Sequence, residues 1–257
     1  MDPLRNPFVP GAGSCPPEMA GREKVIDFAL ISCGRLLRGR AGRPMLLLGL
    51  RGTGKTVLLN EIERQVKERN FVVSKIESPE NDSLAALLYP QMQKALRSLF
   101  TVEAAQTAAK RGLSILQRFA SVYKIDVAGV EVSEEPPVGI ADSGNLEMDM
   151  PDLFTALGEA AKAAGKGWLL LVDEVHNLSR QDLSALLVSL HQINQQELPV
   201  MFVGAGLPQT AKLAGDAKSY AERLFRFCEI GSLKPEDAAD AIVKPIEEEA
   251  VLGARSR

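Results

Sequence analysis

The feature that most constrains this chain is a glycine-rich segment between an apolar run and an amphipathic stretch. It reads Gly49-Leu50-Arg51-Gly52-Thr53-Gly54-Lys55-Thr56 and fits the pattern G-x-x-x-x-G-K-[ST] at every fixed position. Residues 45–48 are continuously apolar, as in a strand covered on both faces, and Leu58, Ile62 and Val66 then recur at helical spacing. Glycines let backbone N–H groups converge on a polyphosphate, and the positive end of the following helix points at the same anion. The segment therefore predicts a phosphate-binding loop between a strand and a helix.

Two side chains of this loop carry specific chemistry. Lys55 can reach the β- and γ-phosphates of a nucleotide as a point charge, and the Thr56 hydroxyl can bind Mg²⁺. We expect the nucleotide to contact the whole loop and the residue after it, namely Gly49, Leu50, Arg51, Gly52, Thr53, Gly54, Lys55, Thr56 and Val57.

A second motif is an apolar run that ends in two acids. Residues 169–172 are Leu-Leu-Leu-Val, and Asp173 and Glu174 follow. Two adjacent acids at a buried strand end cost desolvation energy unless a cation and a substrate share the site. Asp173 is then the candidate for the Mg²⁺ shell, and Glu174 is the candidate general base that polarises the attacking water. The acid pair favours hydrolysis, and the absence of an N-K-x-D motif argues against guanine specificity; the alternative is a pair of solvated acids at a turn.

The same run continues to His176 and forms a D-E-x-H box of helicase type. The further arginine-rich helicase motifs are missing, so this similarity is shallow. Two interpretations of His176 stay open, a capping or polar-network residue and a relay between nucleotide and partner.

Composition excludes several classes of protein. The 257 residues carry a formal charge of −3, with 25% charged and 46% hydrophobic residues, which is the balance of a globular chain. A strongly basic body, typical of a dedicated nucleic-acid binder, is absent. No apolar run approaches the roughly 20 residues that span a bilayer. Three widely separated cysteines and two histidines suggest neither a disulfide framework nor a zinc site. We expect a cytoplasmic protein with reduced thiols and no membrane contact.

Strand and helix patterns alternate along the chain, which predicts a mainly parallel sheet with helices on both faces. The predicted strands cover residues 45–48, 71–76, 168–172, 200–203 and 227–230. The predicted helices cover residues 22–38, the stretch after Thr56, 84–99 with a possible break at Pro90, 152–164, 183–190 and 235–252. Residues 1–20 are rich in proline and glycine and predict an extended arm. Residues 125–151 predict an insertion, a hairpin or mobile loop, with the weakest order.

This order of elements and motifs resembles the AAA+ ATPases, and most closely the branch that contains origin-recognition-type initiators and multidomain signal-transduction ATPases. Residues 20–23 resemble the G-R-E motif of that branch, 173–178 resemble its Walker B motif, and 223–227 resemble its arginine-finger segment. The resemblance implies a three-layer α/β P-loop NTPase domain over residues 21–231. It also implies that residues 232–257 begin a helical lid, which we expect to be truncated.

The resemblance also implies roles for individual residues. Arg22 would lie against the adenine and ribose, and Arg226, with Arg223 as the alternate, would be the arginine finger. A finger acts on a neighbour's nucleotide and so implies self-association or a protein partner; the alternative is that these arginines form salt bridges at a helix end. One departure from the family is clear, because the strand at 200–203 runs into Gly204-Ala205-Gly206 where a polar γ-phosphate sensor is expected. Gln209 is the nearest amide.

Together these features predict an ATP- or ADP-binding, Mg²⁺-dependent AAA+ module that hydrolyses ATP slowly and couples nucleotide state to a macromolecular partner. Two alternatives remain at this stage. One is a signalling switch that holds ATP or ADP without turnover. The other is the N-terminal part of a DNA-replication initiator, in which DNA would be bound only with further C-terminal domains.

Overall fold

A computed structural model describes residues 6–8, 16–80, 82–125 and 138–255 of the chain. The strands are β1 (Met45–Leu48), β2 (Phe71–Glu77), β3 (Gly167–Asp173), β4 (Val200–Gly206) and β5 (Arg226–Glu229). The helices are α1 (Glu23–Leu36), α2 (Lys55–Lys67), α3 (Leu84–Phe100), α4 (Gln106–Val122), α5 (Leu146–Ala163), α6 (Arg180–Gln195), α7 (Thr210–Ala217), α8 (Ala221–Leu224) and α9 (Pro235–Arg255). Most of the predicted N-terminal arm, and residues 126–137 of the predicted insertion, lie outside the described residues.

The five strands form one sheet in the order β2-β3-β4-β1-β5, and every neighbouring pair is parallel. All residues of β1, β3 and β4 are buried, which explains why these strands are continuously apolar in sequence. The predicted mainly parallel sheet is confirmed. Because all strands run the same way, their carboxyl ends lie along one edge, and the motif residues at those ends come together there.

Successive strand residues point to opposite faces of the sheet, and each face contributes side chains to its own hydrophobic core. On one face, Leu47 and Leu171 pack with α1 and α2 through side chains such as Ile62. On the other face, Trp168 and Phe202 pack with α3 to α8. Helices on both sides of a parallel sheet give the three-layer α/β sandwich that the sequence predicts.

The observed helices differ clearly from the prediction at α3, α4, α5 and α7, of which α4 and α7 were not predicted. Helix α4 was not predicted, although Ile115 and Phe119 recur at helical spacing on its buried face; Gly112 brings it close to α3, where an added Cβ would lie 2.7 Å from Leu96. Helix α3 continues through Pro90, so the possible break is wrong; Pro90 is exposed, and water can satisfy the carbonyl that the missing N–H leaves free. Helix α5 begins at Leu146, within the predicted insertion, because Asn145 caps it by accepting the amide of Glu147 at 3.0 Å.

None of the helices in the described part of the chain is long and apolar enough to cross a membrane.

Candidate functional site

The glycine-rich loop lies at the carboxyl edge of the sheet, directly after the central strand β1. The amide of Gly49 donates to the carbonyl of Gly206 at the end of β4, with an N···O distance of 3.1 Å. A Cβ at position 49 would lie 2.2 Å from the carbonyl oxygen of Ile230 and 2.6 Å from Thr53 Oγ1. The loop can therefore follow this path only with glycine at position 49.

The loop leads into α2 at a glycine in the left-handed region. Gly54 has φ +85° and occupies the N-cap position, and the helix begins at Lys55. Neither a side-chain cap nor an acidic residue occupies the first turn of this fully described helix. Its first N–H groups have no intrahelical partners, and the helix dipole adds partial positive charge at the same end. This end of α2 is therefore suited to an anion such as phosphate.

Lys55 lies inside the curve of the loop. Its side chain is largely buried, with 7% of the residue exposed, and its ammonium donates to the carbonyls of Gly49 and Leu50 at 3.0 and 2.8 Å. An ammonium group has three donors, so a third N–H can reach a further acceptor. The positive charge is thus held at the centre of the loop.

The acidic strand end meets the phosphate loop through one hydrogen bond. Thr56 Oγ1 donates to Asp173 Oδ2 at 2.7 Å, although the two residues are 117 positions apart. Asp173 is 5% exposed, and its other oxygen accepts the amide of Glu174 at 2.9 Å. The sequence prediction that Thr56 and Asp173 share one site therefore agrees with the geometry.

This pair fits Mg²⁺. A hydroxyl and a carboxylate are ligands that Mg²⁺ accepts, and Mg²⁺ is usually held by one or two carboxylates together with substrate phosphates and water. Within the described residues there is no group of three or more His, Cys, Asp or Glu side chains that could hold a metal without such help. Thr56 and Asp173 could therefore hold Mg²⁺ in company with a nucleotide.

Unpaired polar atoms concentrate at the same edge of the sheet. Among the described residues, four buried side-chain atoms lack a hydrogen-bond partner: Ser78 Oγ, Glu174 Oε2, His176 Nδ1 and Thr210 Oγ1. Ser78 follows β2, Glu174 and His176 follow β3, and Thr210 begins the helix after β4. Because folded proteins leave few buried polar atoms unpaired, their clustering marks this edge as a place for a polar ligand or ordered water.

A cavity of about 430 Å³ adjoins the phosphate loop. Five predicted site residues line it: Arg22, Gly52, Thr53, Gly54 and Val57. Arg22 donates to the carbonyl of Thr53 at 3.5 Å and also to the carbonyl of Gly231, so it joins the loop to the segment after β5. Apolar side chains such as Val57 and Leu233 line it, which suits the flat base of a nucleotide.

Sequence analysis missed part of this lining. Met19, Gly231, Leu233 and Ala241 border the cavity without belonging to any recognised motif. Gly231 lies two residues after the end of β5, next to the buried Ile230, so its place at the carboxyl edge could have been inferred from strand order. Met19 and Ala241 carry no such signal, because only the packing of the chain segments brings them to the cavity.

The two candidate finger arginines lie away from the loop. Arg226 is the first residue of β5 and pairs with Met45 at the start of β1, whereas the phosphate loop follows the end of β1. Its exposed side chain lies over the ring of Phe28 at 4.2 Å from the ring centre. Arg223 is also exposed, near the end of α8. Both arginines were predicted to lie at a helix end. Only Arg223 lies there, because Arg226 is the first residue of β5.

Comparison with known proteins identifies the family. The pattern of the AAA ATPase domain matches residues 18–203, which is more than half of the chain. The chain belongs to the AAA ATPase domain family. The predicted family is thereby confirmed, and membership supports nucleotide binding at the site described above. No curated protein matches the chain in sequence.

Solved structures share the fold of this AAA ATPase domain. Cdc6p from Pyrobaculum aerophilum has a TM-score of 0.55 and 14% identity, covering 93% of this chain and 52% of that one. The ORC2 protein from Aeropyrum pernix, solved in its ADP form, has a TM-score of 0.52 and 16% identity, covering 94% and 55%. The chain spans about half the length of both proteins. The similarity shows that this chain and the two proteins share a fold, in agreement with the predicted AAA+ architecture.

Proposed function

We propose that this chain is a Mg²⁺-dependent ATPase module that binds ATP, hydrolyses it slowly and couples its nucleotide state to a macromolecular partner. The observation that carries the proposal is the 2.7 Å hydrogen bond from Thr56 to Asp173. It joins a loop suited to phosphate to a carboxylate suited to a metal, and neither group alone would indicate a nucleoside triphosphate.

Each group at the site would act on a different part of the substrate. The N–H groups at the start of α2 and the Lys55 ammonium would bind the β- and γ-phosphates. Thr56 and Asp173 would hold Mg²⁺, which when bound neutralises charge on the phosphate oxygens. Glu174 would accept a proton from the water that attacks the γ-phosphorus as the bond to the bridging oxygen breaks. Arg22 and the cavity beside it would hold the base and ribose.

The proposed contact with a partner molecule depends on two arginines, Arg223 and Arg226. Arg226 stands at the start of β5, and the phosphate loop follows the end of the neighbouring β1, so this side chain is at the far edge of the sheet from its own site. An exposed arginine at that edge is available to a second molecule. We propose that Arg226, or Arg223 beside it, completes a neighbour's site as an arginine finger. Turnover per molecule should then rise with protein concentration.

Two substitutions test the assignment of the site. Lys55→Ala should abolish ATP binding, because the charge at the centre of the loop is lost. Glu174→Gln should still bind ATP with its affinity little changed but lower the turnover by about 10²–10⁴-fold, the usual contribution of a general base. Isothermal titration calorimetry and phosphate release measure the two effects. Lys67→Ala serves as the control, because Lys67 lies at the other end of α2 and pairs with Glu63. Tight binding by Lys55→Ala, or full turnover by Glu174→Gln, would contradict the assignment.

A second candidate function is a switch that holds ATP or ADP without turnover. Strand β4 favours it, because its carboxyl end offers only Gly204, Ala205 and Gly206 to the site. The nearby hydroxyl of Thr210 is fully buried, and Gln209 is exposed. A nucleotide that stays bound through purification, with no phosphate release at any protein concentration, would favour this candidate. DNA binding through further domains stays a prediction from the sequence.

A further inference from the structure

Glu174 has an unusual backbone conformation and a buried carboxylate oxygen. Its φ and ψ are 54° and 41°, a left-handed conformation that a residue with a side chain rarely adopts. Such strain tends to persist at functional sites, where the surrounding structure holds it in place. Oε2 of Glu174 is buried, although 31% of the side chain as a whole is exposed. The carboxylate therefore turns one oxygen inward and leaves the rest of the side chain accessible.

The group that faces this inward oxygen is the imidazole of His176. Nδ1 of His176 lies 3.2 Å from Glu174 Oε2, and the His176 side chain is only 7% exposed. The two atoms are close but not aligned as a hydrogen bond, and neither has another partner among the described residues. Catalytic hydrogen bonds are often long or misaligned before the substrate binds and tighten in its complex.

The turn that carries His176 is fixed to two strand ends. The amide of Asn177 donates to the carbonyl of Glu174 at 2.9 Å, and its side chain donates to the carbonyl of Ser78 at 2.8 Å. Ser78 in turn donates its amide to the carbonyl of Asp173 at 3.1 Å, and Val175 is buried. The imidazole is thus held on a rigid support, and the glutamate is the member of the pair with room to move.

We propose that His176 is a positioning residue that orients the Glu174 carboxylate for activation of water. The proposal rests on the proposed hydrolytic function. A general base works best when a third group orients it, and a proton on Nδ1 would let His176 donate to Oε2 whether the imidazole is neutral or charged. Closing the gap to a well-aligned hydrogen bond would fix one carboxylate oxygen and direct the other toward the water.

Kinetics of three variants test this role. His176→Leu removes the donor, and we expect kcat to fall about 10- to 100-fold, the cost of misplacing a catalytic group by about 1 Å. The KM for ATP should stay within about twofold, because His176 does not bind the substrate. His176→Asn should recover most of kcat, since its amide nitrogen lies near the position of Nδ1. His191→Leu is the matched control, because His191 lies in α6 and packs against the ring of Tyr220 instead of Glu174, with 4.8 Å between the ring centres.

Coupling between the two residues provides a further check. In a Glu174→Gln background, His176→Leu should cause no additional loss, because both changes act on the same step. Three results would overturn the proposal: wild-type kcat in His176→Leu, an equal loss in His191→Leu, or no recovery in His176→Asn. Thermal melts of each variant show whether it is folded.

Nuclear magnetic resonance tests the contact between His176 and Glu174 without any turnover of ATP. It therefore distinguishes a failure of the positioning role from a failure of the proposed hydrolytic function. The chain has two histidines, and a His191→Gln variant leaves a single imidazole to assign. With Mg²⁺ and the non-hydrolysable analogue adenosine 5′-(β,γ-imido)triphosphate, the Nδ1 proton of His176 should give a downfield signal that Glu174→Leu removes. If the wild-type chain shows this signal but does not hydrolyse ATP, the proposed hydrolytic function is rejected and the contact between His176 and Glu174 is not. A signal that is absent, or that Glu174→Leu leaves unchanged, would reject the positioning role.

Discussion

Replacing Gly49 by alanine should destabilise the fold before any nucleotide is added. The new Cβ would lie 2.2 Å from the Ile230 carbonyl oxygen, well below the 3.0 Å under which real Cβ contacts are essentially never found. The Ile230 amide donates to the Leu48 carbonyl, so relief of the clash requires β1 and β5 to separate at this end. Overpacking of this kind costs about 1–3 kcal/mol. For a domain of this size the midpoint of thermal unfolding should fall by roughly 2–12 °C.

Gly215→Ala is the matched control for this experiment. Gly215 lies in α7 with nothing within 4 Å of an added Cβ and no positive φ, so alanine should stabilise the chain by about 0.5–1 kcal/mol. The same chemical change is therefore expected to have opposite signs at the two positions. Urea unfolding monitored by circular dichroism, without nucleotide, measures both. If Gly49→Ala unfolds at the wild-type urea concentration, the close approach of Ile230 to the loop is wrong.

Two further predictions concern groups outside the site. Asp149 is 2% exposed and accepts four hydrogen bonds, one from the Tyr123 hydroxyl and three from donors of residues 143–144. Asp149→Asn should therefore lower the free energy of unfolding by about 1–3 kcal/mol. Urea unfolding at neutral pH measures this change, and an unchanged unfolding midpoint would contradict the prediction. Burial raises the pKa of Tyr89, Tyr123 and Tyr220 above the usual value of 10, with Asp149 adding to the effect at Tyr123. The folded chain then keeps protons that the unfolded chain releases, so their contribution to stability is complete below about pH 10 and is lost as the pH rises further. The absorbance at 295 nm should therefore rise at a higher pH in the folded chain than in the chain unfolded by urea, and equal midpoints in the two states would refute the burial argument.

The sequence alone predicted the parts of the molecule that depend on local chemistry. The phosphate loop was recognisable because a strand, a glycine-rich turn and a helix are contiguous, and because Lys55 and Thr56 are the residue types that phosphate and Mg²⁺ require. Strands β3 and β4 were recognisable because complete burial requires unbroken apolar runs. Their parallel order then brought Asp173 to the same edge as the loop, as strand and helix alternation had indicated.

Only the tertiary structure decided which distant residues meet. Helix α4 does show apolar residues at helical spacing, such as Ile115 and Phe119, but only the structure shows that Gly112 allows it to approach Leu96 closely. Met19 and Ala241 border the cavity solely because α9 packs near the segment before α1. The 3.2 Å approach of His176 to Glu174 depends on a left-handed turn that no residue type in the motif requires. Local chemistry is encoded within a few neighbouring residues, whereas these contacts are set by the packing of many segments at once.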